Sequence, residues 1–215
     1  MLFIALLFYV PVFFADLMLL AMGKLGFTPG FSLWLVIGIF IGGMINIPVK
    51  RIERNETVDM DPFMYLGLHR VFHRIHPRSY TLIAVNVGGC LIPSLIVVYE
   101  LMIVSRLGFH ALALTLLSTA INIFLCYQFA RPIPRLGIAL PAWVPAFAAV
   151  LCAWIFLPEI APPVAFVAGV LGPLIGADLL HLKDISAINT GMGSIGGAGT
   201  FDGIVLSGLF ATLLA

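Results

Sequence analysis

Long apolar runs separated by short polar connections organise the chain. A bilayer core of about 30 Å needs roughly 20 apolar residues per helix. On that measure seven spans are predicted, at residues 2–22, 31–49, 79–104, 109–129, 140–157, 163–182 and 200–215. The last is short at about 1.5 Å of rise per residue, so it is expected to be completed by part of the preceding glycine-rich segment, or else to be tilted or truncated. The fold class expected is an all-α polytopic bundle forming one transmembrane domain over residues 1–215. Pro11, Pro93, Pro145 and Pro173 fall inside predicted spans. There they are expected to kink the helices and free carbonyls for neighbours to satisfy. The pairs Gly42-Gly43 and Gly88-Gly89 are expected to allow close packing.

The longest connection, within residues 49–78, is read as a cytoplasmic loop. In its second half Met64, Leu68, Val71, Phe72 and Ile75 share a helical face, between Asp61-Pro62 and Pro77. That pattern predicts an amphipathic helix lying in the interface. His69, His73 and His76 sit on it beside Arg70 and Arg74. Headgroup contact, or cover for the mouth of the bundle, suits them better than a metal, because the flanking Arg charge opposes a cation.

Basic residues orient the spans. With seven spans, Lys50, Arg51, Arg54, Arg70, Arg74, Arg78, Arg131, Arg135 and Lys183 fall on one side and Lys24 and Arg106 on the other, nine against two. The N-terminus is therefore expected inside and the C-terminus outside, in a prokaryotic inner or plasma membrane. The apolar start, lacking a basic n-region, reads as a retained first span and not as a signal peptide.

Composition agrees with this picture. The chain is 61% hydrophobic and 10% charged with a formal net charge of +1, where soluble domains carry about 25% charged residues. A soluble domain, a disordered chain and a nucleic-acid binder working by bulk charge are all excluded. Cys90, Cys126 and Cys152 lie in apolar runs and imply neither a zinc finger nor a disulfide framework.

Because charge is scarce, the ionisable residues within spans stand out: Asp16, Glu100, Asp178 and Asp202. Each is costly in hydrocarbon. Glu100 is expected to reach the outer interface. Asp16 is expected to be buried as a neutral acid or paired with Asn86 or Asn122. Asp178 and Asp202 lie at the facing ends of consecutive, antiparallel spans, so both carboxylates are expected at one depth. A close pair in a poorly solvated site shares a proton, one member acting as base toward water and the other as acid toward a carbonyl. Around the second acid Gly191, Gly193, Gly196, Gly197, Gly199 and Gly203 crowd a short segment. This segment is expected to re-enter the membrane or line a cavity. Gly196, Gly197, Gly199, Thr200, Gly203 and Asn46 are its candidate substrate contacts.

The stretches GADLLHL, SIGGAGTFDGI, INIPV and ARPIPRLGIALPAWVP resemble an uncharacterised membrane family, the domain of unknown function sixteen-fourteen. That resemblance covers most of the chain and implies no activity. A more distant one is to the GxGD intramembrane aspartyl proteases, the presenilin and signal-peptide-peptidase group. Asp178 in ADLL resembles the acid that ends one helix there, and Asp202 the acid that opens the next. The chain differs in having Thr200-Phe201 between the glycines and the acid, Ala177 where that group has tyrosine, and no Pro-Ala-Leu-type motif.

Four readings follow. The leading one is a diaspartyl, protease-like hydrolase acting on a transmembrane peptide, with no cofactor. An ion or small-solute transporter would use Asp16, Asn46, Asn86, Asn122, Asp178 and Asp202 along one path. A metal site would draw on Asp178, His181, Asp184 and Asp202. A structural membrane protein would use none of them. The lipid bilayer is the expected surrounding in each, nucleic acid is not a partner, and the oligomeric state is left open.

Overall fold

The computed structural model describes residues 2–53, 80–133, 137–141, 143–182 and 192–215, and it is mostly helical. The predicted amphipathic helix with His69, His73 and His76, and also Asp184, lie outside the described residues. Helix α1 spans Leu2–Lys24 and α2 Pro29–Gly42. Strands β1, Asn46–Glu53, and β2, Tyr80–Asn86, follow. A π turn at Val87–Leu91 leads into α3, Ile92–Arg106, and α4 spans Phe109–Phe129. Strands β3, Arg131–Ile133, and β4, Gly137–Ala139, form an antiparallel pair. Then come α5, Trp143–Phe156, and α6, Ala161–Leu171, which runs on as a π segment, Gly172–Leu179. Strand β5, Met192–Ile195, precedes α7, Gly203–Leu214.

Among the described residues three helices are long and apolar enough to cross a membrane, at Val87–Arg106, Phe109–Phe129 and Pro158–Leu179. Helices α2, α5 and α7 are shorter apolar helices. The third of the long helices lies innermost: Val164, Ala165, Val167, Ala168 and Val170 are all fully enclosed. It meets α7 through small residues. A Cβ placed on Gly169 would lie 3.0 Å from the Ser207 carbonyl oxygen and 3.2 Å from the Gly208 Cα. Such close approach lets dispersion hold helices together where lipid removes the hydrophobic drive.

The buried polar side chains of α4 stay satisfied. Thr115, Ser118 and Thr119 each donate to the carbonyl one turn back, at 2.8–2.9 Å. Asn122 donates to the carbonyls of Pro145 and Ala168, at 3.0 and 2.8 Å, fastening α4 to α5 and α6.

The structure departs from the sequence expectation in three places. First, the predicted second and third spans are each part strand. Helix α2 ends at Gly42 and the chain continues as β1, while Tyr80–Asn86 is extended and the helix begins only at Val87. A short apolar run fits a buried strand as well as a helix, and hydropathy alone does not separate them. Second, Pro145 occupies the first turn of α5, where proline removes no helical hydrogen bond, whereas Pro93 lies within the continuous helix Val87–Arg106, where its π turn joins α3. Pro11 does lie inside α1. Third, Asp16 is exposed on α1, while Asn86 and Asn122 bond elsewhere.

The three-stranded sheet has the order β1-β2-β5. β1 and β2 are antiparallel, with a bulge at Pro48/Lys50, and β2 and β5 are parallel. Proline lacks the ladder donor, so an edge strand with a bulge is where it can sit. This sheet and the turn after β5 hold the candidate site.

Candidate functional site

The scaffold begins with Asn86, fully enclosed at the end of β2. Its Oδ1 accepts the Gly89 N–H at 2.7 Å, which caps the π turn. Its Nδ2 donates to the Gly43 carbonyl at 2.8 Å and to the Asn46 Oδ1 at 3.2 Å. The same Asn46 oxygen accepts the Ser194 hydroxyl of β5 at 2.5 Å. One amide thus ties the end of α2, strand β1 and the start of the long helix Val87–Arg106, and Asn46 extends the tie to β5.

The glycine-rich turn rests on this frame. Gly196 has φ +70° and Gly199 φ +61°, the left-handed region that favours glycine. A Cβ on Gly196 would lie 2.6 Å from the Gly89 carbonyl carbon, and one on Gly199 would lie 2.9 Å from the Gly43 Cα. These glycines serve backbone-to-backbone contact with the two glycine pairs that the sequence singles out. Gly203 differs, since nothing lies within 4 Å of a Cβ built there. Gly197 faces the Ser194 side chain, and Thr200 is buried.

The turn also brings the two acids together. Asp202 caps α7, its Oδ1 accepting the Ile204 N–H at 3.0 Å while its Oδ2 accepts the Ala198 N–H at 3.2 Å. Asp178 sits near the end of the π segment and accepts from the Gly196 backbone. Both carboxylates therefore hold the turn running from Gly196 to Asp202, and they lie close enough to repel each other. π geometry puts an extra residue into the turn and re-aims the side chains around it. Here it occurs on both sides of the site, at Asp178 and at Gly88–Gly89.

His181 follows by one turn and is buried. Its Nδ1 lies 3.1 Å from the Gly176 carbonyl oxygen and 3.0 Å from that of Ala177, and its ring packs on Tyr127 with centroids 4.9 Å apart. A backbone-bound Nδ1 leaves Nε2 as the nitrogen that could reach a ligand. Among the described residues no three His, Cys, Asp or Glu gather as a metal-holding group.

Two contributors escaped the sequence reading. Asn86 appeared there only as a possible partner for Asp16 or a lining residue. The Asn-x-x-Gly spacing of Asn86 and Gly89, a side-chain cap three residues before a glycine N–H, was the available signal. Cys90 is buried within electrostatic reach of both Asp178 and Asp202. Only the fold, which sets the π turn against the glycine-rich turn, reveals it.

The chain is thus a mostly helical protein with helices fit to cross a membrane, carrying two carboxylates on a glycine-rich turn braced by a small mixed sheet. It belongs to the family described as protein of unknown function (DUF1614), whose model matches residues 40–214. No curated protein and no solved structure matches it.

Proposed function

We propose that the protein is a diaspartyl intramembrane hydrolase, protease-like, with Asp178 and Asp202 as its catalytic pair. The observation that carries this reading is the shared anchorage of the two carboxylates on one turn, within mutual electrostatic reach. Two acids so placed in a poorly solvated site carry one proton between them. The ionised member takes a proton from a water as it attacks a peptide carbonyl, and the protonated member donates to the carbonyl oxygen. Gly196, Gly197, Gly199, Thr200, Gly203 and Asn46 form the surroundings that a substrate backbone would meet. The bundle crosses the membrane seven times with the N-terminus inside, which sets the pair at the cytoplasmic face. The substrate class is a transmembrane peptide, unwound where it meets the pair.

The test uses purified protein in bilayer vesicles with single-span peptides carrying a fluorophore and quencher. Cleavage should be lost in both Asp178→Asn and Asp202→Asn. Cleavage that survives either substitution overturns the assignment. Ion flux that depends on Asp202, without cleavage, would establish the transporter instead.

A further inference from the structure

Glu100 lies outside the site just described. The sequence places it near the end of a span, where it is expected to reach the interface. The structure encloses it: Glu100 is 1% exposed, and its Oε1 is buried with no hydrogen-bond partner. Ile96, Val97 and Val104 share its buried face of α3.

Among the described residues no charge compensates it. α3 packs against α2, α4, α6, α7 and the π turn at Val87–Leu91. Helices α2, α6 and α7 contain no titratable side chain. The π turn contributes Cys90, which interacts with Ser94. α4 contributes His110, which is exposed, Cys126, whose thiol donates to Asn122, and Tyr127, whose ring packs on His181. On α3 itself Tyr99 stacks on Phe27 and Arg106 is exposed. At the end of α1, Lys24 donates to the Leu213 carbonyl. None of these groups acts on Glu100.

Leucine or glutamine would fill this position at lower cost, since an uncompensated acid in a membrane helix has no cation to offset its desolvation. Intramembrane ionisable residues of this kind mark ion and proton pathways. We propose that Glu100 is a proton-binding site in its own right, separate from Asp178 and Asp202. It takes up a proton to form the carboxylic acid and releases it to regenerate the carboxylate, with no other bond made or broken. This inference stands whether or not the aspartate pair is hydrolytic.

Dicyclohexylcarbodiimide is an apolar reagent that adds to protonated carboxyls within lipid, and it provides the test. The full-length protein in phospholipid vesicles is treated across a pH series, digested and mapped by peptide mass. A label at Glu100 that fades as pH rises supports the proposal. It should be lost in Glu100→Gln and retained in the Asp178→Asn/Asp202→Asn double variant. Infrared titration of the wild-type protein, reading the carboxylic C=O band, repeats the test without relying on a variant that folds. Absence of label at Glu100 at every pH overturns the proposal. Protection by sodium ions at constant pH overturns it in favour of a metal-cation site, and loss of the label in the double aspartate variant overturns the separation of the two sites.

Discussion

The backbone of Gly196 lies against that of Gly89, so that a Cβ on Gly196 would come 2.6 Å from the Gly89 carbonyl carbon. Through this contact the turn bearing Asp202 is seated on the π turn that opens the long helix Val87–Arg106. Gly196→Ala should therefore destabilise the fold. The left-handed conformation alone costs about 1–2 kcal/mol for an L-residue, and the clash adds to it. Gly203→Ala should be neutral or gain about 0.4–1 kcal/mol, since its site is open and its φ is not left-handed. Thermal melts of the two variants in detergent should move in opposite directions or differ clearly. Equal losses would mean that the contact does not hold the turn.

Asp202 has two roles that substitution can separate. It caps α7 through the Ile204 N–H, and it forms half of the carboxylate pair. Asn caps about as well as Asp, whereas replacing a cap by Ala costs about 1 kcal/mol. Asp202→Asn should keep the Ile204 cap and lose hydrolysis, with a small fall in melting temperature because its NH2 cannot accept the Ala198 N–H, while Asp202→Ala should lose hydrolysis and more of the stability. An Asn variant as destabilised as the Ala variant would show that the cap is not what Asp202 contributes.

Asn86→Ala removes the acceptor for the Gly89 N–H and a donor to the Gly43 carbonyl. Each buried group left unsatisfied costs about 1–3 kcal/mol. The loss should appear as a lowered melting temperature and as faster amide exchange at Gly89. Unchanged exchange there would rule out the capping role.

Asn122→Ala tests the same logic between helices, because its amide joins Pro145 and Ala168. Interhelical hydrogen bonds in membranes are worth about 0.6–2 kcal/mol, so a small, measurable fall in unfolding free energy in mixed micelles is expected. Ser118→Ala, which removes only a bond within α4, is the control and should cost less.

The membrane orientation can be read by thiol labelling, because Cys90, Cys126 and Cys152 are buried and give little background. Arg106→Cys should react with an impermeant maleimide in intact cells, and Arg131→Cys only after permeabilisation. Both positions are exposed. The reverse pattern would invert the seven-span assignment.

Hydropathy made the helical bundle legible, because a run such as residues 109–129 has only one stable form in lipid. The strands were not legible. Tyr80–Asn86 has an apolar middle that runs on toward the helix after it, and its partner β5 lies more than a hundred residues away, beyond any local pattern. Asp178 and Asp202 stood out because charge is scarce, and their approach follows from antiparallel neighbours. Asp16 misled for the opposite reason, since apolar flanks on both sides say nothing about which face of α1 it occupies. The frame at Asn86 needed three dimensions, because Gly43, Asn46, Gly89 and Ser194 come from four separate segments.

The parallel pairing of β2 with β5 also sets the order in which the molecule can be completed. Among the described residues, the edge of β2 formed by Leu82–Val85 has no strand partner until Met192–Ile195 has been synthesised. Contacts so distant in sequence form late. Until then that edge is a bare template for other chains, and the aspartates have no shared turn to hold. A chain stalled or truncated before β5 would therefore lack the turn that both carboxylates hold and would be prone to strand-mediated association.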